Sequence, residues 1–211
     1  MKITFKHGAI YTFFKNFTLI AIQNLFCQTK RKRVHMAILP ILEAPHPILE
    51  KKTREVRPDE FNEELVTLLE NMAITMYDAP GVGLAAPQIG DSRRILVADP
   101  GNDDDDVPRM LYSMVNPKII SHSEELISYE ESCLSVPEFY LNVKRFKQIA
   151  MEWKDGKGIV HRHIFEGFPS IVLQHELDHL DGKTLLARSS RLKRSRYVSR
   201  QKKKRKMRAK K

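Results

Sequence analysis

The sequence predicts an α+β domain, and three observations predict it. Two stretches carry apolar residues at three- and four-residue steps, as helices with one buried face do. Four others are short and rich in β-branched and aromatic residues, as strands are. The two kinds do not alternate regularly, which argues against a doubly wound parallel sheet. With 211 residues, 42% of them hydrophobic and 29% charged, the chain has room for one globular domain and additional segments, and collagen, coiled coil and wholesale disorder are excluded. Cys27 and Cys133 are too few for a disulfide scaffold and sit in unlike contexts, so a reducing, intracellular compartment is expected.

Charge divides the chain into three. Residues 1–35 carry seven Lys/Arg and no acid, residues 183–211 carry fifteen and no acid, and the stretch between holds the other 14 bases against all 26 acids. The net charge of +10 therefore describes the two ends, while the middle stands at −12. Basic ends of this kind suit a polyanionic partner. Residues 1–35 are expected to be a basic N-terminal extension, either a leader or the product of an upstream start codon with the biological start at Met36. Their longest apolar run, Leu19 to Ile22, is too short to span a bilayer. Residues 36–190 are expected to form the folded domain and 191–211 a basic C-terminal helix or tail.

Within the domain, Pro40, Pro45 and Pro47 enforce an extended, turning start. Asp59 then reads as the cap of a helix whose Phe61, Leu65, Leu68, Leu69, Met72 and Met76 face one core, stopping at Ala79-Pro80-Gly81. Strand signals follow at Arg94 to Ala98, Leu126 to Tyr129, Asn142 to Trp153 and Ile159 to Phe165. Lys154-Asp155-Gly156-Lys157-Gly158 joins the last two as an antiparallel hairpin. Gly167 to Asp181 is the second helix, with Ile171, Val172, Leu177 and Leu180 as apolar positions and Gly182 as its stop. The run Asp103 to Asp106 reads as a solvated loop tip, because no spaced ligand pattern with a turning glycine accompanies it. His161 and His163 share a half-exposed strand face, with no other ligand near them in sequence.

Three segments carry chemistry. In His175-Glu176-Leu177-Asp178-His179, two histidines four apart lie on one helix face and can grip a single metal ion, while Glu176, one step round, can work on water at that metal. The extended protease pattern that would supply a third histidine fails, because Leu185 stands in its place. Cys133, within Glu131-Ser132-Cys133-Leu134-Ser135, offers a thiolate that would complete a Cys/His/His site with one open position; standing alone it would read as a buried thiol. Gly81-Val82-Gly83-Leu84-Ala85-Ala86-Pro87-Gln88 permits close backbone approach and ends in a neutral amide donor suited to an oxyanion. It is a poor phosphate loop, with no lysine and no helix directly after it.

GVGLAAPQ, ESCLS and QHELDH, in this order, resemble the three signature motifs of peptide deformylases, and the resemblance covers about Met36 to Leu186. It implies an α+β fold with antiparallel sheets packed around a central HExxH helix, and removal of the formyl group from nascent formyl-methionyl peptides with release of formate. By motif position it implies Cys133, His175 and His179 as metal ligands, Glu176 as general acid/base, and Gln88 with the Leu134 N–H as oxyanion stabilisers. Val82, Leu134 and Ile171 would line the methionine pocket, and the Gly83 backbone would hydrogen-bond the peptide in strand fashion. Fe(II) is the implied native metal, with Zn(II), Ni(II) or Co(II) able to occupy the site. The chain departs from the family's usual EGCLS at Ser132; activity is expected to be retained, with turnover slowed if that backbone takes φ > 0 or the substrate passes over it. Glu131 is expected to pair with a base such as Arg145. Ribosomal RNA is the expected polyanion for the C-terminal tail, and a bacterial cytoplasm the expected compartment, or an organelle if residues 1–35 are a transit peptide.

Overall fold

The computed structural model describes residues 37–101 and 110–208. The N-terminal extension and the acidic run Asp103 to Asp106 lie outside the described residues. Helix α1 is Glu63–Asp78. The sheets are built from β1 (Gly83–Ala85), β2 (Ile95–Ala98), β3 (Tyr112–His122), β4 (Leu126–Cys133), β5 (Val136–Phe146), β6 (Gln148–Lys154) and β7 (Val160–Glu166). Helices α2 (Phe168–Leu180), α3 (Leu185–Arg188) and α4 (Arg191–Arg208) close the chain. None of the described helices is long and apolar enough to cross a membrane.

Every pairing between the described strands is antiparallel. One sheet has the order β1-β2-β3-β6-β7, and β4 and β5 form a separate two-stranded sheet. Helix α2 packs against β1, β2, β5 and β7, so it is the central element between the two sheets. Its burial explains its composition: Ser170 to Leu177 is buried at every position, including four polar side chains that other groups must satisfy. Gln174 does this at the β5 end. Its amide donates to Phe146 O at 2.8 Å and accepts from Phe146 N–H at 3.0 Å, while Ser170 Oγ donates to the same carbonyl at 2.8 Å. Thr53 satisfies the far end, its N–H and hydroxyl both donating to Leu180 O. Gly182 then turns the chain at φ +72°, where a Cβ would lie 2.8 Å from the Lys51 carbonyl carbon.

Helix α1 buries Leu65, Leu69, Met72 and Met76 against Leu84, Ile95, Val97 and Val115, the stripe its spacing predicts. Its cap is Asn62, whose Oδ1 accepts from the N–H groups of Glu64 and Leu65. Asp59 lies instead in a short 3-10 turn, Pro58–Glu60, because Pro58 fixes that turn before the helix can begin. The expected strand Asn142 to Trp153 is two strands separated at Lys147 and belonging to different sheets. Strand β3 was not foreseen: Pro117 and the positive φ of Asn116 interrupt its pattern, and its register to β6 shifts twice. The β6–β7 hairpin is as expected, with Asp155 Oδ1 accepting from Lys157 N–H and Ile159 N–H. His161 and His163 are exposed, and His161 Nε2 lies 3.0 Å from Asp155.

The C-terminal segment is a helix. Tyr197 is buried in a cluster with Leu49, Cys133, Val136 and Leu185, and its ring meets Phe139 edge to face. Around that anchor, Arg194 pairs with Glu50, Lys204 with Glu138, and Arg205 donates to the Glu43 and Pro45 carbonyls.

Candidate metal centre

Three elements converge on one buried point. Cys133 ends β4, just before the two-residue turn Leu134-Ser135, and His175 and His179 are one turn apart on α2. Candidate ligand atoms of the three lie within 4.8 Å of one another, all buried, with Cys133 Sγ 3.1 Å from His179 Nε2. Glu131, two residues before Cys133 on β4, accepts from His175 Nδ1 at 2.7 Å. That fixes the ring so that Nε2, buried without a hydrogen-bond partner, faces the cluster. Arg145 grips Glu131 from behind, Nε and Nη2 donating to its two oxygens at 2.7 and 2.9 Å, the pairing expected from sequence.

The electrostatics agree with this geometry. Burial pushes the Cys133 thiol up, but the imidazoles of His179 and His175 outweigh it and hold the thiol well below its ordinary range, in the form that ligates metal. Burial likewise disfavours a cationic His175, yet Cys133 and Glu131 outweigh it and raise its pKa to about 9. The Glu131 carboxyl is held at about 2, burial being overcome by Arg145 and His175. The pocket therefore favours positive charge at His175 Nε2, which a divalent cation supplies. A thiolate and two imidazoles are a donor set suited to Fe(II) or Zn(II), and the residues fit a catalytic metal with one open position.

Glu176 is fully buried beside the candidate ligands, and β1 passes so close that a Cβ on Gly83 would lie 2.7 Å from its carboxyl carbon. Gln88 sits in a 3-10 turn, Ala86–Ile89, directly after β1. Its Oε1 accepts from Ala85 N–H at 2.7 Å, so its NH₂ must face the other way. There it donates to Ser135 Oγ at 3.2 Å and lies 3.9 Å from Cys133 Sγ. Val82 and Ile171 are buried next to this arrangement in sequence, Val82 leading into β1 and Ile171 one turn before His175. Leu134 is partly buried and packs on the α1 core. Ser132 pairs with Tyr140 just before the β4–β5 register shifts at Cys133, and its φ is not positive.

Three contributors went unassigned in the sequence. Glu131 was expected to pair with Arg145 but not to hold His175; its two-residue spacing from Cys133 was the available signal. Ser135 and Asp178 gave none, since their partners, Gln88 and Arg145, are far off in the chain. A cavity of about 260 Å³ beside α2 is lined by Arg94, Arg145, Asp178 and Arg188 among others. It holds none of the predicted site residues.

A buried cysteine and two histidines, with a glutamate beside them on the same helix of an α+β fold, define a metallohydrolase. A model of the polypeptide deformylase family matches residues 38–195. Among curated relatives, the peptide deformylase of Desulfotalea psychrophila is 44% identical over 168 residues, covering 80% of this chain and 97% of the relative. Among solved structures, a peptide deformylase from Legionella pneumophila has a TM-score of 0.72 at 39% identity, covering 83% of this chain and 99% of that one. A Met-Ala-Ser-bound peptide deformylase from Acinetobacter baumannii has a TM-score of 0.67 at 34% identity, covering 73% and 99%. The chain belongs to the polypeptide deformylase family. It is a metal-dependent hydrolase that removes the N-formyl group from nascent peptides.

Proposed function

We propose that Cys133, His175 and His179 hold the metal, Fe(II) in the native protein with Zn(II), Ni(II) or Co(II) as substitutes, and that Glu176, Gln88 and Leu134 carry the reaction. The convergence of the three ligands on one buried point carries this reading. When bound, the metal supplies Lewis acidity toward the formyl oxygen and toward water. Glu176, buried beside it, takes the proton from the attacking water and returns it to the leaving amine. Gln88 donates through Nε2 to the developing oxyanion, its amide held in the donating orientation by Ala85 N–H and Ser135, and Leu134 N–H is the second donor. A formyl carbon bears only hydrogen beside the amide, so a site this enclosed excludes bulkier acyl groups.

Gly83 receives the peptide. Strand β1 is an edge strand, paired only with β2 within its sheet, and its open edge suits an added strand whose methionine side chain enters between Val82, Leu134 and Ile171. In this reading residues 36–190 are the catalytic domain, 191–211 the basic C-terminal segment and 1–35 the extension, in a bacterial cytoplasm. Ribosomal RNA is the partner of α4, whose Arg196, Lys202, Lys203 and Lys206 are exposed on the side away from Tyr197.

The test is formate release from formyl-Met-Ala-Ser by Fe(II)-loaded protein kept anaerobic, alongside Glu176→Ala. Loss of the general base is expected to cost on the order of 10²–10⁴-fold in kcat. Undiminished release in the variant would overturn the assignment of Glu176. For the partner, reversing Arg196, Lys203 and Lys206 to Glu is expected to weaken rRNA binding and flatten its salt dependence. An unchanged salt slope would exclude this face.

A further inference from the structure

We propose that Asp178 and Arg188 are positioning residues for the metal centre, acting on His175 through Arg145 and Glu131. The inference rests on the reading of His175 as a ligand. Four charged side chains run in a line of alternating sign up to its ring. Arg188 Nη2 donates to Asp178 Oδ1 at 2.7 Å, and Arg145 Nη1 donates to Asp178 Oδ2 at 2.6 Å. Arg145 then holds both oxygens of Glu131, which accepts from His175 Nδ1. Side-chain exposure falls along the line from 36% at Arg188 to 13% at Asp178, 3% at Arg145 and 0% at Glu131. Arg188 is thus the solvent end of a connection whose other end is the ligand.

The line closes on itself, and that closure gives it a positioning role. Asp178 and His175 are both on α2, whereas Arg145 and Glu131 come from β5 and β4. The four residues staple the two-stranded sheet to the helix at the level where Cys133 from the sheet must meet His175 and His179 from the helix. Arg145 is a planar fork, and its orientation is set by carboxylates on two edges. With Asp178 removed, its remaining bond on that edge is a weak one, to Gln174 O at 3.4 Å. Arg188 fixes Asp178 in turn with two bonds and balances the charge, since two guanidinium groups face two carboxylates. Taking away Arg188 leaves a net negative charge in a largely buried network, which favours rearrangement of Arg145.

The experiment uses the full chain loaded with Zn(II) and follows release of the metal into a colorimetric chelator for Asp178→Asn, Arg188→Ala and Arg188→Lys. Release is expected to quicken on the order of 10-fold in Asp178→Asn and Arg188→Ala, the usual scale for groups that orient a ligand. Arg188→Lys is expected to recover part of the loss, and the double variant to be no worse than Asp178→Asn, because both act through one line. Visible absorption of the Co(II)-loaded proteins should shift in the same order. The melting temperature of each chelator-stripped variant separates a purely structural role, which would move that value alone. Release and absorption unchanged from the parent in both Asp178→Asn and Arg188→Ala would overturn the proposal. His175→Ala distinguishes the two levels: if it holds Zn(II) as tightly as the parent, the ligand reading itself is wrong, and the proposal falls with it.

Discussion

Gly83→Ala is a stringent test of the site, because the structure gives both the direction and the size of the effect. The Gly83 backbone is ordinary β, outside the positive-φ glycines, and pairs with Ala98 on β2, so an alanine causes no backbone strain. Its methyl carbon would stand closest to Glu176 Oε1, then 2.7 Å from Cδ and 2.8 Å from Cγ, inside any real contact distance. To regain contact at 3.4 Å the carboxyl carbon must retreat by about 0.7 Å and Oε1 by more, and misplacement of a reacting group on the scale of 1 Å can cost about 10²-fold. We therefore expect kcat to fall on the order of 10- to 100-fold while metal content is unchanged, since neither Gly83 nor Glu176 is a proposed ligand. Overpacking should also cost about 1–3 kcal/mol of stability. The assay is steady-state formate release with metal stoichiometry measured on the same sample. A Gly83→Ala protein that folds, holds metal and turns over at the parent rate would refute the reasoning, because it would mean that Glu176 can leave its observed position at no cost to the reaction.

Two further outcomes are expected. Ser132→Gly should leave turnover within a few-fold of the parent and lower stability by about 0.5–1 kcal/mol, because Ser132 is strand-paired at a φ that is not positive, where glycine adds unfolded-state entropy; a large gain in kcat measured on metal-matched samples would contradict this. Burial, with Glu43 adding to it, raises the Tyr197 phenol to about 12 from an ordinary value of 10. The folded state thus favours the neutral phenol, and this contribution is whole below pH 10 and lost as pH rises from 10 through 12. Helical circular dichroism should fall over that window in the parent and not in Tyr197→Phe, and superimposable profiles would show that Tyr197 does not anchor α4.

How much of this was legible in the sequence depended on how local each constraint is. The helix of the two proposed histidine ligands could be read because its four-residue spacing is itself the geometry, and Cys133 could be proposed with them because such a site calls for a third ligand. Helix α1 could be read from its stripe, although its start could not: Asp59 and Asn62 are both good caps, and Pro58 decides between them by committing the chain to a 3-10 turn first. Strand β3 escaped because its pairing to β6 is held across two register shifts that local alternation cannot encode. The Gln88–Ser135 bond, and the Arg145–Asp178 and Glu131–His175 links of the line to His175, escaped for a related reason. Each joins residues tens of positions apart, and only the packing of α2 between two sheets brings them together. Gly83 lies between these cases, for the motif announces a close approach but not that Glu176 is what approaches.

Helix α4 carries eleven bases in eighteen residues and no acid, so in isolation its like charges would oppose helix formation. It is helical here because Tyr197 is sunk in the body and Glu50 and Glu138 neutralise part of one side. A polyanion that binds the outer side would relieve the remaining repulsion and make this segment stiffer. An enzyme mounted in this way is held as a lever at one angle, and the catalytic cleft then meets passing chain ends from a constant direction, as a ball on a loose tether would not.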